Sequence, residues 1–154
     1  MSLESVRTFL AAHAPDVEII EQSASTATVI EAAATLGVEP ARIAKTLSVR
    51  VGEAVVLIVA RGDARLDNRK VKDALGGRPR MLGAEEAEAL TGHPVGGVCP
   101  FALATPMAVY CDLSLRDFDI VYPAAGSRTS SVRISPDRLA ELTGARWADL
   151  CTCA

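Results

Sequence analysis

The sequence predicts an α/β fold: a single compact domain over residues 1–154, with a central mixed β-sheet flanked by helices. Three observations carry this. Lys45 to Val51 and Ala54 to Ala60 form a strand-turn-strand unit across Gly52-Glu53. Capped helical segments separate the other strand-like runs, the pattern of crossover connections. The alternation continues from end to end without an internal repeat or a Pro/Gly/Ser-rich linker.

Ser5 to His13 reads as a short amphipathic helix and Val17 to Glu21 as a strand. Ser25 is the expected cap of a helix running to about Leu36, stopped by Gly37. Glu39-Pro40 opens a short helical turn, because proline suits the first helical position. Lys45 to Val51 alternates polar and apolar residues, whereas Ala54 to Ala60 is almost continuously apolar and is expected to be a doubly buried central strand. Helices follow at Asn68 to Leu75, ended by Gly76-Gly77, and at Ala84 to Leu90, ended near Gly92. Strands are expected at Met107 to Cys111, Ile120 to Tyr122 and Ser131 to Ile134. Ser135 caps a last helix with Pro136 at its first position, Leu139 and Leu142 facing inward and Gly144 as its stop.

Composition narrows the functional classes. A chain of 154 residues buries roughly two-thirds of its unfolded surface. Apolar residues make up 49% and charged residues 23%, which argues against disorder. Aromatic residues make up only 4%, too few for a base-stacking single-strand platform. The net charge of −3 excludes affinity built on coating a phosphate backbone, so any nucleic-acid contact must be local, and DNA is not an expected partner. Residues 61–80 depart from that average, with seven basic residues against three acidic ones, a local excess of +4. This segment is either a solvated face or a phosphate-steering patch. The start of the chain lacks a basic segment followed by an apolar run, and no stretch of about eighteen apolar residues exists. A reduced, cytoplasmic protein without membrane contact is therefore expected. Cys99, Cys111, Cys151 and Cys153 follow no disulfide-scaffold spacing.

Two motifs could carry chemistry. Lys45-Thr46 opens the first long strand, where the lysine is either a snorkelling strand-end residue or an anchor for a phosphate or carboxylate. About fifty residues later comes Gly96-Gly97-Val98-Cys99-Pro100-Phe101. Its glycine pair permits positive φ and close backbone approach, and amides near Val98 and Cys99 could stabilise an oxyanion. A tight structural turn is the alternative. Cys99 has His93 nearby in sequence but no third residue to orient the imidazole, so a buried apolar role is favoured over a nucleophile. Cys151-x-Cys153 lacks zinc-site spacing, and His13 and His93 are the only histidines. No metal or cofactor is expected. There is no nucleophile elbow, no P-loop and no H-E-x-x-H.

With these residues in place, the chain resembles the YbaK/EbsC family of aminoacyl-tRNA deacylases, which is similar to the editing domain of bacterial prolyl-tRNA synthetases. The resemblance runs through Ala32 to Val38, Ile43, Lys45-Thr46-Leu47, Leu66-Asp67, Lys70-Val71, Ala74-Leu75-Gly76 and Thr91-Gly92. It continues through Gly96-Gly97, Pro100-Phe101, Ala125-Gly126 and the closing helix. It implies hydrolysis of the ester between a wrong amino acid and the 3′ end of a tRNA, usually proline tRNA, by positioned water and backbone dipoles without a triad. Lys45, Gly97, Val98 and Cys99 take the catalytic positions. Thr46, Gly96, Pro100, Phe101, Gly126 and Ser131 take the substrate-binding ones.

The implied partners are the acceptor end of an aminoacyl-tRNA and prolyl-tRNA synthetase. A branch acting on cysteinyl-tRNA carries a serine and an aspartate where this chain has Ala124 and Ser131, so alanine, serine or 2-aminobutyrate is at least as good a candidate as cysteine. Pocket volume is expected to depend on Val29, Ile30, Val98, Phe101 and Met107. The alternative function is a catalytically silent sensor of charged tRNA or a synthetase-docking module.

Overall fold

The computed structural model describes residues 2–153; Met1 and Ala154, the ends of the predicted domain, lie outside the described residues. The chain opens with α1 (Ser2–His13) and β1 (Glu18–Glu21), then α2 (Val29–Leu36) and a 3₁₀ turn at Pro40–Arg42. The hairpin follows as β2 (Ile43–Val51) and β3 (Ala54–Arg61), then β4 (Ala64–Leu66), α3 (Asn68–Leu75), β5 (Pro79–Met81) and α4 (Ala84–Thr91). A long loop leads to β6 (Ala108–Asp112), a 3₁₀ turn at Leu113–Asp117, β7 (Tyr122–Pro123) and β8 (Ser130–Arg133). The chain closes with α5 (Pro136–Thr143), β9 (Arg146–Ala148) and β10 (Cys151–Cys153).

The central sheet has the strand order β5-β2-β3-β6-β9, with β7 also paired to β2. It is mixed as predicted: β2 runs antiparallel to β3 and β5, while β7 on β2, β6 on β3 and β9 on β6 are parallel. Two antiparallel ribbons, β1 with β8 and β4 with β10, sit beside it. β3 has strands on both edges, and Ile58, Val59 and Ala60 are fully buried, as its apolar run requires.

The sheet separates two cores. On one face Ala44, Leu57 and Val59 pack with Cys99, Phe101, Val109, Cys111 and Leu139, and α1 contributes Val6 and Leu10. On the other, Val49, Ile58 and Ala60 pack with Ala64, Val71 of α3 and Leu150. Successive strand side chains point to opposite faces. Lys45 therefore emerges on the second face and Thr46 on the first.

Some boundaries differ from those predicted. The cap of α2 is Thr28, whose side chain accepts from the Glu31 N–H at 3.1 Å, and the helix begins at Val29. Ser25 instead accepts from Ala27 N–H and donates to the Glu31 carboxylate. Thr28-x-x-Glu31 is a capping-box sequence, and it prevails over the isolated serine. The expected strand at Ile120 to Tyr122 is shifted to Tyr122–Pro123, with Val121 making only a single bridge to Ile134. Four strands of three residues (β4, β5, β9 and β10) fall where no period could be read, since three residues carry too little alternation.

Candidate active site at an interrupted sheet edge

β2 builds the site because one of its edges is only partly covered. β7 pairs with Ile43 and Ala44, and β5 pairs with Val49 to Val51, both on the edge away from β3. Between them the edge of β2 has no strand partner among the described residues. The two-residue turn at Gly52-Glu53 makes Val51 and Ala54 the closing hydrogen-bonded pair. Counting back in twos, Val49, Leu47 and Lys45 bond to β3, while Thr46 and Ser48 direct their main-chain groups at the open edge. The Ser48 carbonyl is taken by the Leu82 N–H at 3.1 Å. Thr46 N–H and C=O are left without a main-chain partner among the described residues. The Thr46 hydroxyl is also buried without a partner, a state that costs about 1–3 kcal/mol if nothing binds it.

A pocket of about 380 Å³ opens over this gap, a volume suited to a small ligand. Ile43 to Thr46 and Ser48 form its floor. Ala27, Thr28 and Val29 form one wall, Leu82, Ala84 and Ala87 another, and Val95, Gly96 and Val98 a third. Tyr122, Ala124 and Ser131 close the end beside β7. Among the described residues Lys45 is the one charged residue lining it, and neither a carboxylate nor a histidine takes part. Two of the most exposed large apolar side chains of the described chain, Met81 and Val95, stand among the lining residues.

Lys45 is half-buried, and its ammonium donates to the Ala64 carbonyl. Burial holds its pKa below the ordinary lysine value; the nearby Cys151 and Asp63 act in the opposite sense. The charge is thus under-solvated, with one neutral hydrogen-bond acceptor among the described residues.

The glycine pair has two distinct duties. Gly96 holds φ +92°, in the left-handed region, where a side chain would also strike Ala27 and Arg128. Gly97 allows close approach, but to the protein itself: a Cβ there would lie 2.7 Å from Ser127 N. Its N–H bonds the Pro94 carbonyl at 2.8 Å, and its carbonyl accepts from Gly126 N–H at 3.0 Å. Arg128 fixes the loop tip through Val95 O at 2.8 Å. The Gly97 amide is thereby occupied, whereas those of Gly96 and Val98 have no acceptor among the described residues.

The structure therefore brings Lys45, Thr46, Gly96, Val98 and Ser131 together around one pocket and places the other predicted residues behind it. Cys99 and Phe101 are fully buried in the core, Pro100 is buried, and Gly126 packs at φ +94° against Ser2. Burial pushes the Cys99 thiol up to about 12, which leaves no thiolate near neutral pH. His93 cannot activate it. Its Nε2–H donates to the Phe101 carbonyl at 2.7 Å, and its Nδ1 accepts from the Ser2 hydroxyl. The imidazole is a neutral pin between α1 and the loop. Of the residues expected to set pocket volume, Val29 and Val98 line it, whereas Ile30 is 69% exposed and Phe101 and Met107 pack on the core. Ala124, marked by the sequence as a branch-specific position, lines the pocket, whereas Ala27, Leu82 and Tyr122 were not singled out there. Thr28 alone had a readable signal, its capping box.

Fold and site together define a small α/β domain with a pocket at an interrupted sheet edge whose described lining carries one lysine. The chain belongs to the aminoacyl-tRNA editing domain family, whose model matches residues 23–142. It is 46% identical over 153 residues to the YwhH protein of Bacillus subtilis strain 168, covering 98% of both chains. It is 33% identical over 124 residues to the proline–tRNA ligase of Desulfovibrio desulfuricans; the match takes in 78% of this chain and 21% of that ligase. A solved structure described as a candidate trans-editing enzyme for prolyl tRNA synthetase superposes with a TM-score of 0.90 at 34% identity, covering 98% of this chain and 97% of that one. No described helix is long and apolar enough to cross a membrane.

Proposed function

We propose that this protein is a trans-acting aminoacyl-tRNA deacylase, which hydrolyses the ester joining a small wrong amino acid to the 3′ end of a tRNA, proline tRNA foremost. The observation that carries the reading is the pocket at the open edge of β2, with Lys45 on one face of the strand and the Gly96 to Val98 loop and Ser131 around the cavity. Lys45 holds a phosphate of the acceptor end, and the aminoacyl group enters the pocket. Water attacks the ester carbonyl while the free amides of Gly96 and Val98 stabilise the developing oxyanion. The described lining holds neither a carboxylate nor a histidine, which favours positioning and electrostatics over general-base catalysis by a side chain. Gly97 shapes the loop, and Cys99, Pro100 and Phe101 support it from the core. The small residues Ala27, Ala32 and Ala124 suit a compact substrate side chain. Such an enzyme works in the cytoplasm, with prolyl-tRNA synthetase as the source of its substrate.

A deacylation screen over proline tRNAs carrying Ala, Ser, Cys, Thr and 2-aminobutyrate tests this. Lys45→Ala should lower turnover roughly a hundredfold or more while the protein stays folded, and Cys99→Ala should retain activity. Near-normal turnover by folded Lys45→Ala rejects the role of the lysine. Tight binding of charged tRNA without release of any amino acid instead supports a silent sensor.

A further inference from the structure

We propose that the open edge of β2 receives the aminoacyl group as a one-residue strand, held by the main chain of Thr46. This rests on the editing reading above and specifies how the substrate's α-amino group and carbonyl are recognised.

Thr46 sits midway between the ends of β7 and β5, and the hairpin register turns its N–H and C=O into the gap. Both groups, and the buried hydroxyl of the same residue, lack partners among the described residues. Three unsatisfied polar groups on one pocket-lining residue point to a ligand that supplies their complements. An esterified amino acid does so for the two main-chain groups. Its α-ammonium is a donor and its carbonyl an acceptor, separated by one Cα, as are the N–H and C=O of a strand residue. Directly opposed residues of an antiparallel ladder exchange two such bonds. The Thr46 carbonyl thus accepts from the ammonium, and the Thr46 N–H donates to the ester carbonyl.

The charge pattern agrees. Lys45 is the one charged residue lining the pocket among the described residues, so no described side-chain carboxylate is there to hold an ammonium, and a carbonyl takes that part. The second bond also draws electron density from the carbon that water attacks. Recognition then depends on groups shared by every α-amino acid, while the surrounding side chains discriminate by volume.

The test uses two non-hydrolysable probes, 3′-alanylamino-3′-deoxyadenosine and its des-amino counterpart, 3′-propionylamino-3′-deoxyadenosine. The alanyl probe should shift the Thr46 amide resonance and protect it from exchange. The propionyl probe should bind about tenfold more weakly. An amide-to-ester replacement at residue 46, which removes that N–H and leaves the Thr46 carbonyl in place, should weaken the alanyl probe by a similar factor. Thr46→Val, which keeps the main chain, should weaken it less. Equal affinity for both probes with the Thr46 amide unmoved, while Val98 shifts, overturns the pairing and leaves the editing reading intact. No shift at any pocket resonance with either probe overturns both. The probe comparison needs only the unaltered protein, so it decides the matter even if a variant fails to fold.

Discussion

His93 shows how a residue that looks chemical in the sequence can be structural in the fold. It is fully buried, bonded on one nitrogen to Phe101 and on the other to Ser2. Burial holds its pKa below the ordinary histidine value, despite the opposing bond to Phe101. The unfolded chain takes up this proton near pH 6.5, whereas the folded chain resists it to lower pH. The unfolded state thus binds more protons in that window, and stability must fall as pH drops through it. Thermal melts should show Tm declining from pH 7 to pH 5, with a shallower decline in His93→Asn. Parallel pH profiles for the two proteins would contradict the assignment. Lys45 presents the converse case. Its place on a strand was legible from the alternation of Lys45 to Val51, although the strand begins two residues earlier at Ile43; its bond to Ala64 was not legible, because β4 is too short to read.

At the scale of elements, the C-terminal strands are anchored by one carboxylate that gave no sequence signal. Asp112 ends β6 with 2% exposure, and its Oδ1 accepts from the amides of Leu150 at 2.7 Å and Cys151 at 3.0 Å. Its Oδ2 accepts from Ser114 N–H at 3.0 Å. Three charge-assisted bonds converge on a buried group, so Asp112→Ala should cost roughly 3 kcal/mol in urea unfolding. Since β10 pairs with β4, which holds the Lys45 ammonium, the same variant should weaken substrate binding. A loss below about 1 kcal/mol would show that β10 is held by its apolar contacts instead. Long, periodic or capped elements were readable: β3 from its apolar run, and α5 from Ser135-Pro136 and Gly144. The ribbon β4–β10 exists only because distant residues meet, and no local pattern encodes it. The Gly96-Gly97 loop was visible as a motif, yet the role of Gly97 depended on the Ser127 backbone, which the sequence places thirty residues away.

For the whole molecule, charge placement limits how much nucleic acid can be gripped. Of the seven basic residues between 61 and 80, Arg61 is bound to Asp63 and Asp117, and Lys70 to Asp149. The local excess is therefore partly neutralised by carboxylates from elsewhere in the chain. Arg65, Arg69, Lys72, Arg78 and Arg80 make no ion pair among the described residues. Binding of an acceptor-end oligonucleotide should show a salt slope corresponding to about two to four phosphates. A slope near ten would require a far larger footprint than this face provides. The fold class was legible because hairpin and crossover signals coexist; the pocket was not, since it is a space between β5 and β7 that no residue encodes alone. That space has a protective side as well. A bare strand edge normally invites addition of another chain, and with it aggregation. Here β5 and β7 stand as buffers at either end, leaving too short a run for a foreign strand to zip along. The interruption keeps the edge reactive toward a single residue and closed to a polypeptide.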